Sequence, residues 1–521
     1  MDIIAKDATN TVLKLTRYAK IGLSNTRKYS SKAGEKLTTP GRRYAHQNIA
    51  VAEANLPATS VTTWISHLAA DTTRADLSDT VVHRSQRMML DTLGVGILGF
   101  KTDITQTVLR CALNTGAMDG AGSSASTIWG SKGQKASPAM AAFLNGINVH
   151  SMDFDDTWYP ATHPSGPVLP SIIALAETMT GSYQPTTEDL LVAYNVGIEV
   201  QGLLLRCSEI AKEIPCRFHP PAVVGVMGSA AASARLLGLG PHKSRHALAI
   251  AASFAGAPMA NAGTTTKPLH AGKAARFGLE AALLADHGLE GNHDILDVPS
   301  GYGAFYDDYD PEEFLFAHSN NEDFVLHNQD IAIKRFPAHL GMHWAIDATM
   351  GARDQICQTA RRIVPEEVSE VHIMAPKSKY INRPLPSTEH EARHSFQFNV
   401  CTALLDGHVS PDSFTHSYRR RSPLNQLLSK TRVSCPEDNI PTFNDMYVEV
   451  HVTMRDGTLA KSRCDTPYGH WRNPLTEKDL EGKFLANTKD MSYQSQIQLI
   501  NTIKNMSAGK PATEFLEALR D

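Results

Sequence analysis

The chain has 521 residues, 42% of them hydrophobic and 20% charged, and a formal net charge of −4. That length predicts two to four domains, or one large domain with an insertion, and that balance excludes wholesale disorder and a polycation built for nucleic acid. No apolar run approaches the ~18 residues of a membrane span, and seven cysteines with neither a C-x-x-C pair nor a secretory leader predict reduced thiols.

The charge is unevenly spread. Residues 1–50 hold ten Lys/Arg and three acids, a balance of +7, so the remainder carries −11. A basic, acid-poor start containing Ser and Thr reads as a mitochondrial transit segment. Arg27-Lys28-Tyr29-Ser30 and Arg42-Arg43-Tyr44-Ala45 are similar to matrix-protease sites. The expectation is a mitochondrial matrix protein whose fold begins after about residue 57.

Residues 58–330 read as helices. Apolar residues recur at three and four spacing over 81–98, and small-residue helices are expected over 138–149, 168–179, 190–205, 222–237, 244–257 and 273–287. Small side chains let helix axes approach closely, so these segments belong inside a bundle. Residues 331–465 differ. Positions 368–373 are β-branched, and 447–454 alternate, with Val448, Val450, Val452 and Met454 on one face. Asp456-Gly457 then marks a hairpin turn into 458–463. A helix is expected over 390–405. Residues 466–521 return to helix. The predicted fold is mainly α: a large all-helical domain formed by 58–330 and 466–521, with an inserted smaller α+β lid domain at 331–465.

Four clusters could carry chemistry. The densest is Asp153-Phe154-Asp155-Asp156-Thr157 followed by Thr162-His163-Pro164-Ser165, a polar loop between two helices. Helix capping by the aspartates is the structural alternative. His219, in Arg217-Phe218-His219-Pro220-Pro221, precedes an Ala/Gly-rich helix whose positive end would keep it neutral or bind an anion, with an ordinary surface-loop histidine as the alternative. Lys267 stands before Pro268 at a helix start, as a carboxylate clamp or an ordinary solvated lysine. Lys334 and His339, in Lys334-Arg335-Phe336-Pro337-Ala338-His339, sit at the expected domain junction and suit a polyanionic small molecule, with a solvated basic loop as the alternative.

Two further motifs carry little weight. His390-Glu391-Ala392-Arg393-His394 matches the zincin pattern H-E-x-x-H, but an arginine abuts the second histidine and no third ligand stands out. Gly94-Val95-Gly96-Ile97-Leu98-Gly99 matches G-x-G-x-x-G inside a helical pattern, where close packing rather than dinucleotide binding explains the glycines.

Together the strings around Asp153, Thr162-His163-Pro164-Ser165, Arg217-Phe218-His219-Pro220-Pro221, Thr266-Lys267-Pro268-Leu269-His270 and Lys334-Arg335-Phe336-Pro337-Ala338-His339 resemble, in this order, the MmgE/PrpD (methylcitrate dehydratase) family. Glu389 to Gln397 and Tyr468-Gly469-His470-Trp471-Arg472 extend the match. The longer strings are most similar to the animal decarboxylating branch. The resemblance implies a homodimer with no metal and no organic cofactor, and a tricarboxylate pocket between helical domain and lid. It implies Asp153, His163, His219 and Lys267 as catalytic residues, and Thr157, Lys334, His339 and Tyr380 as substrate-binding ones. The H-E-x-x-H match becomes a coincidence in a lid helix.

The implied reaction is loss of CO2 from cis-aconitate to give itaconate, with a methylcitrate dehydratase-like elimination of water as the alternative. Decarboxylation of the CH2 arm leaves an allylic electron pair, which a proton must quench at the far carbon. Fixed cations can stabilise that charge without a cofactor. Lys267, Lys334 and His219 are the expected carboxylate binders. His163 is the expected proton donor, with Asp153 orienting it and His339 as the competing acid.

Overall fold

The computed structural model describes residues 60–118, 125–158, 162–208, 217–311, 323–358, 362–378 and 383–521. The transit-segment expectation and Tyr380 lie outside these residues. Among them helices dominate and six strands occur, so the protein is mainly α.

The first core is a pile of helices whose limits follow local chemistry. Asp79–Gly99 starts where Ser78 Oγ accepts from Val81 N–H, and Pro138–His150 starts where Ser137 caps a proline first turn. Thr187–Leu205 opens with a capping box between Thr186 and Asp189. That helix and Val224–Leu236 are buried almost all round, as their near-continuous apolar and small residues require. Ser165–Ala176, Pro241–Phe254 and Leu269–Asp286 complete the group. The G-x-G-x-x-G string lies inside Asp79–Gly99 and serves packing: a Cβ on Gly99 would stand 1.9 Å from the Asn148 carbonyl oxygen. Close approach there locks the C-terminal end of Pro138–His150, from which the polar loop departs.

A second hydrophobic core gathers residues between 332 and 464. Its sheet has strands β3 Val368–Met374, β4 Thr431–Ser434, β5 Val448–Met454 and β6 Leu459–Cys464, after a two-residue pair, β1 Ser126–Thr127 and β2 Lys135–Ala136, in the first core. The order is β4-β3-β5-β6, with β4 parallel to β3 and the other pairs antiparallel. Val448, Val450 and Val452 are fully buried in this core, where helix Met342–Cys357 packs on their strand. Gly457, at φ 89°, makes the β5–β6 turn. Residues after 475 rejoin the first core through Leu480, Phe484, Leu499, Ile503 and Phe515.

One local expectation needs correction, and one strand was not foreseen. The helix expected over 390–405 is broken into Glu389–Arg393 and Phe396–Asp406, because Ser395 turns extended and its Oγ caps Phe398 N–H at 3.0 Å. Strand β4 carries no alternation visible in its four residues and takes its conformation from pairing with β3.

Candidate active site

The polar loop begins as Pro138–His150 ends. Met152 and Phe154 pack with Val95, so alternate residues are pinned into apolar contact. Between them Asp153 adopts φ 52°, a left-handed conformation that is uncommon for a residue with a side chain. Such backbone strain persists only where surrounding contacts over-determine it. From behind, Lys483 of the C-terminal helix Glu477–Asn487 donates to the Phe154 carbonyl at 3.1 Å, covers its ring and pairs with buried Asp91 at 2.6 Å.

The contacts that hold Asp153 are ionic. Lys267 Nζ donates to Oδ2 at 2.9 Å and Lys334 Nζ to Oδ1 at 2.6 Å. His394 Nε2 lies 3.3 Å from Oδ2. Lys267 enters just before helix Leu269–Asp286, and Lys334 just before helix Met342–Cys357. Three distant segments therefore converge on one carboxylate, and all four side chains are buried. The two ammonium groups and His394 hold Asp153 well below the usual carboxylate range, against the opposing push of burial. The solvated-lysine readings of Lys267 and Lys334 do not hold, since buried charges of this kind are found paired.

Asp155 organises the histidines. It accepts from His150 Nδ1 at 2.8 Å and lies 3.5 Å from His163 Nδ1 and 3.9 Å from Lys334 Nζ. These partners also lower its pKa against desolvation. His163 Nδ1 is 2.9 Å from the Asp156 carbonyl oxygen, which can only accept, so Nδ1 carries a proton and Nε2 is the exchangeable position. His339 is the reverse: its Nδ1 accepts from Gly341 N–H at 3.2 Å, so the neutral ring carries its proton on Nε2. His219 Nδ1 contacts His270 Nδ1 at 3.1 Å. Burial is the first cause holding His163 and His219 well below the ordinary histidine value; Asp155 opposes it at His163, while Lys267 adds to it at His219. His219 is 3% exposed, so it is not a surface-loop histidine. Asp156 lies behind the loop: Ser165 Oγ and N–H bond to it, and desolvation pushes its pKa up to about 8.

The structure brings Asp153, His163, His219, Lys267, Lys334 and His339 into one region, with Thr157 Oγ1 3.4 Å from His163 Nδ1. Two details depart from expectation. Asp153 meets the two lysines and His394, and Asp155 is the carboxylate beside His163. The H-E-x-x-H string is no bystander either, since His394 touches Asp153, while Glu391 is spent accepting from Ser387 N–H and Oγ at 2.7 Å each. His150, His270 and Arg393 are not among the sequence-predicted site residues, and His394 is named there only as a zincin-type ligand. His150 had a signal in standing three residues before Asp153. Arg393, which donates to the Met152 and Pro337 carbonyls, had none without the fold.

Among the described residues, two groups could share one metal ion, His150 with His163 and His219, and Asp153 with Asp155 and His163. The acidic charge of the second group is already balanced by Lys267 and Lys334.

Buried lysines on a carboxylate beside imidazoles define a site for a polyanionic substrate and acid–base chemistry. The sequence carries the MmgE/PrpD N-terminal domain over residues 63–315 and the MmgE/PrpD C-terminal domain over 336–507, and the chain belongs to this family. It is 48% identical over 431 residues to cis-aconitate decarboxylase of Homo sapiens, covering 82% of this chain and 88% of the relative. Against the enzyme of that name from Mus musculus it is 47% identical, with 82% and 86% covered. The 2-methylcitrate dehydratase of Escherichia coli (strain K12) is 25% identical over 362 residues, 64% of this chain and 72% of the relative.

Proposed function

We propose that the chain is a carboxy-lyase that converts cis-aconitate to itaconate and CO2, with no cofactor. The observation that carries this reading is the convergence of Lys267 and Lys334 on Asp153 beside His163. A tricarboxylate entering here competes with Asp153 for the two ammonium groups, which then face substrate carboxylates. The C–C bond to the CH2-arm carboxylate breaks and its electron pair moves into the neighbouring double bond. The charge spreads toward the carboxylate conjugated with it, where fixed cations stabilise it in a dry site. A proton closes the sequence at the far allylic carbon: the trianion plus one proton gives the itaconate dianion and CO2.

His163 is the proton donor in this scheme. Its Nδ1–H is anchored on a carbonyl oxygen and a carboxylate, a setting that tolerates the imidazolium, so Nε2 can carry and release the proton. His339 can become an imidazolium only by giving up its bond from Gly341 N–H, so it serves as a neutral donor to a carboxylate. His219, backed by His270, does the same from the other side. Tyr380 completes the proposed carboxylate binders, with Thr157 placing His163. The second core acts as a lid in this reading and the molecule works as a homodimer, which sedimentation would check. The first ~57 residues direct it to the mitochondrial matrix, and N-terminal sequencing of organellar protein would find the cleavage point.

The deciding assay incubates purified protein with cis-aconitate and follows CO2 and itaconate by NMR, with 2-methylcitrate in parallel. Itaconate from the first alone is expected. Water loss from 2-methylcitrate with no CO2 from cis-aconitate would make it a dehydratase.

A further inference from the structure

The charges at the site leave a shortfall. Lys267 and Lys334 supply two positive charges, and Asp153 and Asp155 already stand against them. Three carboxylates need further N–H donors. Two imidazoles beside this cluster have buried ring nitrogens with no hydrogen-bond partner among the described residues: His150 at Nε2, and His390 at both Nδ1 and Nε2. Such a group loses its hydration and gains nothing in return, so it is costly unless a ligand or water meets it.

The two orphans differ in what they can meet. His150 commits its Nδ1–H to Asp155, so its neutral ring offers only a lone pair, and a carboxylate has no use for that. His390 commits neither nitrogen, so it has one N–H to give in either tautomer. It is 5% exposed, and its ring lies 4.7 Å from that of His394, which touches Asp153. Lys267 and Asp153 are both close enough to perturb it electrostatically, which places it within the field of the cluster.

We propose that His390 is a substrate-binding residue that donates a ring N–H to the third carboxylate and thereby selects tricarboxylates over dicarboxylates. The inference rests on the functional reading above but is not tested by turnover alone. A site built around a buried donor penalises a ligand that leaves the donor unmet, so a dicarboxylate is rejected as well as a tricarboxylate accepted. His390→Phe keeps an aromatic ring against His394 and removes both nitrogens.

The experiment compares calorimetric binding of propane-1,2,3-tricarboxylate with that of glutarate, its analogue lacking the central carboxylate, in the full chain and its variants. The full chain should favour the tricarboxylate. His390→Phe should weaken tricarboxylate binding by about ten- to a hundredfold, the range of a lost hydrogen bond to a charged group, and leave glutarate within a fewfold. His390→Gln, which keeps a donor, should retain much of the preference, and it also serves if the Phe variant unfolds. An unchanged preference in folded His390→Phe overturns the proposal, and so does its complete loss in folded His390→Gln. If tricarboxylate preference holds while cis-aconitate gives no CO2, the reaction assignment falls and the binding role stands.

Discussion

At Asp153 one carboxylate serves as placeholder for a larger anion. Its two oxygens each hold an ammonium group, so Lys267 and Lys334 are spaced and desolvated before substrate arrives. Such preorganisation is where electrostatic catalysis gains most, because no reorganisation remains to be done during reaction. Lys267→Ala should therefore lower kcat/KM by about 10²–10³, the cost of one removed oxyanion-type donor, ~2.7–4 kcal/mol. It also leaves Asp153 with one ammonium fewer, so steady-state kinetics should be read beside a thermal melt. The proton donor can be isolated in the same way. His163→Gln should abolish itaconate formation while retaining tricarboxylate binding, whereas His339→Gln should chiefly raise KM. Near-normal turnover in His163→Gln would remove it from the scheme. These residues were legible as members of compact strings of charged and imidazole side chains, but their roles came from the family resemblance. Asp155 was legible as an acid but not as the partner of His163, since a choice among three aspartates five residues or fewer apart depends on backbone angles such as the φ of Asp153.

At the scale of elements, the short helix Glu389–Arg393 brings the second core to the loop. Thr388 Oγ1 caps Glu391 N–H at 3.1 Å and Glu391 reaches back to Ser387, so the motif glutamate is a helix-start residue. Arg393 follows from the same turn and bonds to the carbonyls of Met152 and Pro337, one on each side of the cluster. The string that matches a zinc hydrolase thus does three separate jobs: its glutamate caps, its arginine staples and its last histidine braces Asp153. Glu391→Ala should cost about 0.5–2 kcal/mol of stability by denaturant titration, as lost caps do, while decarboxylation survives. A metal-bound general base would instead lose turnover outright on that change, and EDTA would abolish it in the parent protein. Strand β5 and the small-residue helices were readable from period, while β4 was not. What periodicity could not supply was the break at His394 and Ser395, where a side-chain cap competes with helix continuation.

Across the whole molecule, buried ionisable groups set how stability responds to pH. Asp156 and Glu199 are both pushed up to about 8, first by desolvation, while unfolded carboxyls titrate near 4. Between those values the folded state holds protons that the unfolded state has lost, so each group makes stability fall as pH rises. The buried histidines act oppositely. His163, His219, His270, His343 and His390 are all lowered from the ordinary value of 6.5, and they add stability as pH rises toward it. Asp153 and Asp155, lowered, lose their contribution only in strong acid. From pH 6.5 to 8 the unfolded histidines pass from half protonated to neutral, so their gain fades across this window while it still opposes the decline set by the two raised carboxyls. Each of these two carboxyls should pull the unfolding free energy down there by up to about 1.4 kcal/mol per pH unit. Asp156→Asn combined with Glu199→Gln keeps acceptors for Ser165 N–H and Val325 N–H and removes both titrations. Urea unfolding at pH 6.5 and 8 should show stability rising in the double variant, where only the unfolded histidines lose protons, and a clearly smaller rise or a decline in the parent. An equal change in both would mean that these carboxyls are already ionised at pH 6.5, with water reaching them.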